Sequence, residues 1–381
     1  MHLDLPPETL DLKVMCREFA EREIAPYAAQ WSEKGTFPSH VFKKLGELGL
    51  MGMFVSEEYG GAAAGAVPYV AVMEELGNAD QSVASAFNAH STIATLPLAT
   101  FGSHAQKTQW LTPLASGEKI GAFGLTEPGA GSDAAGISMQ ARPDAGGWLL
   151  NGTKMFISNA GTDMSLGVTV LAVTGEKDGR KRFGTFFVPD GTPGYEKGKK
   201  LQKLGWHSLD TRELVFTDCW VSDNHLIGDE GNGLRQFLEV LDRGRISVAA
   251  LGLSLARAAL RLAVAHAKQR SQFGRPLTAF QAVAHKIADM ATEVEAARGL
   301  VYRAAWLADE GRPYSTEAAM AKLYTSELAT RAASASLQIH GGYGYIRESE
   351  ISRFYADAKI LEIGEGTSEI QRNVIARAVT M

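Results

Sequence analysis

Glu365 stands in Ile363-Gly364-Glu365-Gly366-Thr367, a carboxylate between two glycines. Such backbone turns tightly and lets a ligand pass close to the carboxylate, as proton abstraction by a general base requires. An exposed turn glutamate is the competing reading. The segment GLTEPGAGSDAAG, Gly124 to Gly136, contains Gly129-x-Gly131-x-x-Ala134, the spacing of a dinucleotide-binding fingerprint. That fingerprint needs an amphipathic helix directly behind it. Here a proline precedes the first glycine and AAGISMQARPD carries no helical stripe. The loop instead offers backbone N–H groups at Gly129 and Gly131 to an anion or a flat ring edge, or is a plain surface turn. Lys154-Met155-Phe156-Ile157-Ser158-Asn159 ends a strand with an aromatic, a hydroxyl and an amide close together; in the bland reading Phe156 is core. Ile339-His340-Gly341-Gly342-Tyr343-Gly344-Tyr345 suits close backbone approach to a ligand, and equally a helix-ending loop. The histidines show no metal spacing, with His90 and His104, or His207 and His225, too far apart for a zinc-type pair.

Three kinds of text must position these residues. The first hundred or so residues read as helical, with Leu10, Val14, Phe19 and Ile24 at helical spacing, a second pattern from Val41-Phe42 to Leu50, and another from Val70 to Leu76. From about Ile120 the texture turns to strands. Asn151-Gly152 predicts a tight hairpin turn between Trp148-Leu149-Leu150 and Thr153 to Ser158. Val168 to Thr174, Phe183 to Val188 and Leu214 to Val221 read as further strands. After Gly231 the stripes Leu251-Leu255-Leu262-His266, Ile287-Met290-Val294-Val301 and Glu317 to Leu328 predict a helical bundle. The expected fold is α+β and mainly α: an N-terminal helical domain over 1–118, a central β domain over 119–226 and a C-terminal four-helix bundle over 227–381.

Composition bounds the function. The chain has 381 residues, long enough for two or three domains, with 45% hydrophobic and 21% charged residues, which excludes a disordered chain. The net charge of −5 and the lack of any basic run argue against nucleic acid as a partner. No stretch approaches about 18 consecutive apolar residues, so no membrane insertion is expected. The N-terminal text reads as a first helix and not as a targeting segment. Two cysteines, Cys16 and Cys219, are too few for a disulfide framework or a structural zinc site, so a reducing compartment, the cytoplasm of a bacterium, is expected.

Taken together, GLTEPGAGSD, KMFISNAG, KQRSQFGRPL, QIHGGYGY and DAKILEIGEGTSEIQR resemble the acyl-CoA dehydrogenase family of flavoproteins in order and approximate spacing. The resemblance runs from the N-terminal helices to Arg372-Asn373 and implies the same three domains, usually as a homotetramer. It implies FAD as cofactor. Phe123 to Ser132, with Leu125, Thr126 and Gly131, matches the loop that contacts the isoalloxazine, and Ser132 also matches an acyl-CoA contact. Phe156, Ile157 and Ser158 match the strand end beside the reactive ring nitrogen. Arg270 and Gln281 match residues reaching the FAD of a neighbouring subunit. Gln338 to Gly342, with Gly341, matches a further FAD loop, completed by Thr367, Ser368 and Glu369. Asp242, Arg243, Gly244 and Arg245 match a substrate-side helix start, and Gly366 follows the base on the substrate side.

The implied reaction is α,β-dehydrogenation of an acyl-CoA to the trans-2-enoyl-CoA. Glu365 would take the α-proton while the β-hydride passes to FAD, and electrons would leave to an electron-transferring flavoprotein. An acyl-CoA oxidase, or another oxygen-using flavoenzyme on the same fold, is the alternative. Family members often carry tyrosine where Gly364 stands and tryptophan where Phe156 stands. Some relatives place the base near Asp242–Arg245, where Gly244 has no side chain to act. Gly364 and Gly244 together predict extra room beside the base for branched or ring-bearing acyl groups, unless Leu361 or Tyr343 fills it.

Overall fold

The computed structural model describes residues 4–380. Helices α1 (Pro7–Glu23), α2 (Ala25–Lys34), α3 (Ser39–Glu47), α4 (Ala66–Ala79) and α5 (Gln81–Asn88) form the N-terminal layer. α1 keeps half of the stripe expected of it. Phe19 and Ile24 are buried, but Leu10 and Val14 are exposed, and the inner face at that end runs through Thr9 and Cys16. The cause is electrostatic: Lys13 pairs with the buried Glu74, and Arg17 Nε donates to Glu75 Oε2 at 3.1 Å, which fixes the face α1 turns to α4. α5 starts at Asp80, whose carboxylate accepts from Val83 N at 2.9 Å and so caps the helix.

The strands are β1 (Ile120–Gly124), β2 (Gln140–Asp144), β3 (Gly147–Ser158), β4 (Ser165–Lys177), β5 (Arg180–Pro189), β6 (Tyr195–Lys197), β7 (Thr211–Ser222) and β8 (Leu226–Ile227). They form one sheet in the order β6-β7-β3-β2-β4-β5-β8, with β1 parallel to β4. Asn151-Gly152 is not the expected hairpin turn. It lies inside β3, opposite a bulge in β7, where the register moves from Leu150↔Cys219 to Gly152↔Phe216. The Asn151 amide serves that bulge: its Oδ1 accepts from Asp218 N at 2.8 Å and its Nδ2 donates to Asp218 Oδ1 at 3.0 Å. The chain reverses instead at Ala145-Gly146, both at positive φ, and joins β2 to β3.

Helices α6 (Gly233–Gln269), α7 (Gln281–Asp309), α8 (Ser315–His340), α9 (Glu350–Ala358) and α10 (Ser368–Thr380) make the C-terminal part. A small hairpin, β9 (Ser271–Gln272) and β10 (Arg275–Pro276), projects between α6 and α7. α6 packs on α8 through small residues, and a Cβ on Gly252 would come within 2.8 Å of the Thr325 backbone. An 18-residue window of α6 has a mean hydropathy of 1.7, enough by length and composition to cross a membrane. Within the fold 67% of that window is buried, as befits the central helix of a bundle. Asp242–Arg245, expected at a helix start, lies inside α6, because the helix already begins at Gly233. Both cysteines are buried and free.

Candidate active site

Glu365 sits between α9 and α10 with φ at 51°, a left-handed conformation that a side chain adopts only where its surroundings hold it. Two donors clamp the next carbonyl. The amine of Lys322, on α8, donates to Gly366 O at 2.6 Å, and Gln371 Nε2 donates to it at 2.9 Å. The carboxylate is thereby driven inward. Its Oε1 accepts from Asn88 Nδ2 at 3.0 Å, while Oε2 is buried without a hydrogen-bond partner. Burial pushes the Glu365 pKa up to about 7, against the pull of the Asn88 hydrogen bond and the Lys322 and Arg245 charges. Burial also lowers Lys322, to about 8, although the Glu365 charge opposes this. A carboxylate poised there can take a proton near neutral pH.

Gly244 leaves room for the carboxylate. A Cβ on it would collide with Glu365 Oε2 and would lie 3.4 Å from Ile93 Cγ2. The room expected beside Gly244 is therefore filled by the Glu365 carboxylate itself. Gly364 differs: a Cβ there would meet only Ile360 O at 3.5 Å, so neither Leu361 nor Tyr343 has moved in. Arg245 pairs with Asp242 and reaches Ser315 Oγ at 3.3 Å, with its Nε buried and unpartnered.

A second group gathers at the end of β3. Between Lys154↔Leu214 and Ile157↔Arg212 the register shifts, and the extra residue puts Phe156 at φ 63° and leaves the residue 65% exposed. That answers the core reading of Phe156. Ile157 is buried, Ser158 is half-buried, and Asn159 Nδ2 donates to Ala86 O on α5 at 3.0 Å, two residues from Asn88. The strand end and Glu365 are thus tied to the same helix. The loop from Leu125 to Ser132 joins them, since Met155 N donates to Thr126 O at 2.8 Å. A buried ion pair fixes this loop: Lys154 Nζ donates to Glu127 Oε1 at 2.8 Å and to Leu125 O at 3.1 Å. Gly131 and Ser132 are exposed, whereas Phe123 stacks on Phe237 at 4.3 Å inside the core, leaving only its backbone for a ligand.

The third group lines a cavity of about 600 Å³. Arg270, His266, His340, Gly341, Gly342 and Tyr343 form its wall, with the Arg270 guanidinium 5.7 Å from the centre of the Tyr343 ring. Gln338 and Gln281 are exposed and lie outside that lining. Thr367 Oγ1 accepts from Ile370 N at 3.3 Å and caps α10, which also carries the buried Ser368 and the exposed Glu369. Among the described residues no cluster of His, Cys, Asp and Glu could hold a metal ion. Sequence reasoning missed Asn88, Lys322 and the Glu127–Lys154 pair. A lone lysine in AAMAKLYTSELA was the one local signal of the three.

Helical layer, sheet and bundle meet around a buried carboxylate, and the comparisons say which family has this architecture. Models of the acyl-CoA dehydrogenase N-terminal, middle and C-terminal domains match residues 6–118, 122–219 and 231–380. The chain belongs to the acyl-CoA dehydrogenase family of oxidoreductases. It is 46% identical to a probable acyl-CoA dehydrogenase, YngJ, of Bacillus subtilis, over 99% of each chain. The solved butyryl-CoA dehydrogenase of Megasphaera elsdenii superposes with a TM-score of 0.96 at 40% identity, covering 100% of both chains. An acyl-CoA dehydrogenase from Bacillus anthracis, solved in complex with FAD, gives a TM-score of 0.93 at 32% identity over 99% of this chain and 67% of that one.

Proposed function

We propose that this protein dehydrogenates a short acyl-CoA at its α and β carbons, with Glu365 as the base. The observation that carries the reading is the bare Oε2 of Glu365, buried in space that Gly244 leaves for it. The two outer groups fit FAD: an exposed Phe156 face and the polar end of β3 suit a flat ring, and the Arg270 cation with the Gly341-Gly342 backbone suits phosphates. Bound there, FAD supplies the acceptor for the β-hydride. The chain's own residues do the rest. Glu365 Oε2 takes the α-proton, Lys322 and Gln371 hold the Gly366 peptide still beside it, and Asn88 steadies the other oxygen. A free carboxylate is far too weak a base for such a proton, so the enolate must be stabilised by donors aimed at the thioester oxygen. The backbone N–H at the base is the group offered by the chain.

The short acyl class is supported by the likeness to butyryl-CoA dehydrogenase and by the carboxylate occupying the room beside Gly244. Anaerobic addition of butyryl-CoA should bleach the flavin absorbance, more completely than a long-chain acyl-CoA. Reduced flavin that persists for minutes in air fits a dehydrogenase passing electrons to an electron-transferring flavoprotein. Reoxidation in seconds would favour the oxidase.

The same reading includes an oligomer, the tetramer that the family resemblance implies, and the third group supports it. The β9–β10 hairpin next to Arg270 exposes Phe273 by 93%, an apolar tip that a second copy would cover. Arg270→Ala should lose FAD and weaken assembly together, measured by flavin absorbance and light scattering. A monomer that holds FAD tightly overturns this.

A further inference from the structure

The carboxylate of Glu365 is held on one oxygen and bare on the other, and the residue responsible lies on a different helix. Asn88 ends α5 and is 3% exposed. Its amide oxygen accepts from Tyr69 OH at 3.3 Å and shares the Thr92 Oγ1 proton, at 3.1 Å, with the Asn88 backbone carbonyl. With these hydroxyls on that oxygen, the amide nitrogen faces Glu365. Turned over, the amide would set its oxygen against a carboxylate oxygen with no proton between them. The helix then passes into a π-helical turn, Ala89–Ala94, where one extra residue per turn redirects the side chains. Thr92 Oγ1 closes that turn on Asn88 O at 2.8 Å, and Ile93 is carried to the Gly244 side of the base.

Other groups face the carboxylate without bonding to it. Lys322 from α8 gives its amine to Gly366 O, and Arg245 from α6 is engaged with Asp242 and Ser315. From α4 the Tyr69 phenol faces it, and Ile93 of the π-helical turn lies beside Gly244 as the Glu365 carboxylate does. Among the described residues Asn88 alone donates a hydrogen bond to Glu365. Resting on the reading of Glu365 as the base, we infer that Asn88 is its positioning residue, fixing the carboxylate by Oε1 and reserving Oε2 for the incoming proton. A hydrogen bond to the ionised form favours that form, so its removal must make the base harder to ionise.

The test is kcat/KM against pH for FAD-loaded parent, Asn88→Leu, Asn88→Asp and Glu365→Gln, with flavin content measured beside it. In Asn88→Leu the acid limb should move up by about one pH unit, so activity on that limb falls about tenfold and recovers at alkaline pH. Asn88→Asp should move it further, because two carboxyls then share the site. An equal loss at every pH, with the limb unmoved, means that Asn88 only packs and overturns the inference. If the leucine variant does not fold, the isosteric aspartate decides by the same limb. Turnover retained in Glu365→Gln removes the base and this inference with it; an inactive Glu365→Gln beside an unmoved Asn88 limb overturns the inference alone.

Discussion

Glu365→Gln is expected to bind FAD and acyl-CoA as the parent does and to lose at least about 10²–10⁴ in kcat. Glutamine keeps the shape and can still bond to Asn88, but it offers no basic oxygen. No second carboxylate can stand in, since the facing position is Gly244 and any side chain there would overlap the base. The loss should exceed the usual range for that reason. In the parent, kcat/KM should rise with pH through about 7, because burial raises the Glu365 pKa and below it the group is protonated and cannot act. The variant should show no such limb. Near-parental turnover in stopped-flow flavin reduction would sink the assignment.

Lys154→Met should be the most damaging single change to the sheet and to flavin retention. Lys154 is fully buried and Glu127 is 5% exposed. Burial opposes the charge on Glu127, yet Lys154 and the backbone N–H groups of Ser138 and Met139 hold its pKa below the ordinary glutamate range. Removing the amine leaves a buried carboxylate without its counter-charge, at a cost of about 3–5 kcal/mol. The loop from Leu125 to Ser132 also loses its anchor at Leu125 O. Thermal melting should fall and FAD should dissociate faster. Adding Glu127→Gln should restore much of the melting temperature, since the stranded charge is gone, but not the flavin retention. If the double variant melts no higher than Lys154→Met, the damage is not electrostatic.

Much of this molecule follows from local text. Each long bundle helix follows from a stripe of its own, such as Met290-Val294-Val301 in α7, because a helix with one apolar face must bury it whatever its neighbours are. The strands around Val168 and Phe183 are equally local, as Val and Phe runs bounded by Asp178-Gly179. Glycines flanking Glu365 announce a carboxylate on tightly turned backbone. Where two local rules compete, the sequence misleads. Asn151-Gly152 has the chemistry of a hairpin turn, but the same amide also suits the Asp218 bulge, and only the partner strand decides between them. The first half of the α1 stripe, Leu10 and Val14, fails similarly, because Glu74 and Glu75, some sixty residues on, choose which face of α1 turns inward there.

The sequence by itself determined the layers of this protein, the presence of a lone carboxylate in glycine-rich backbone and the family to which such a chain belongs. Tertiary structure decided what that carboxylate is. Its proton affinity depends on burial by α5, α6 and α8, on Asn88 277 residues before it in the chain and on Lys322, which holds the Gly366 carbonyl from 44 residues before that glycine. Desolvation and hydrogen bonding act through space over a few ångströms and carry no signature in residue order. Periodicity can say that Asn88 lies on a buried helix; only the packed chain aims its amide at Glu365.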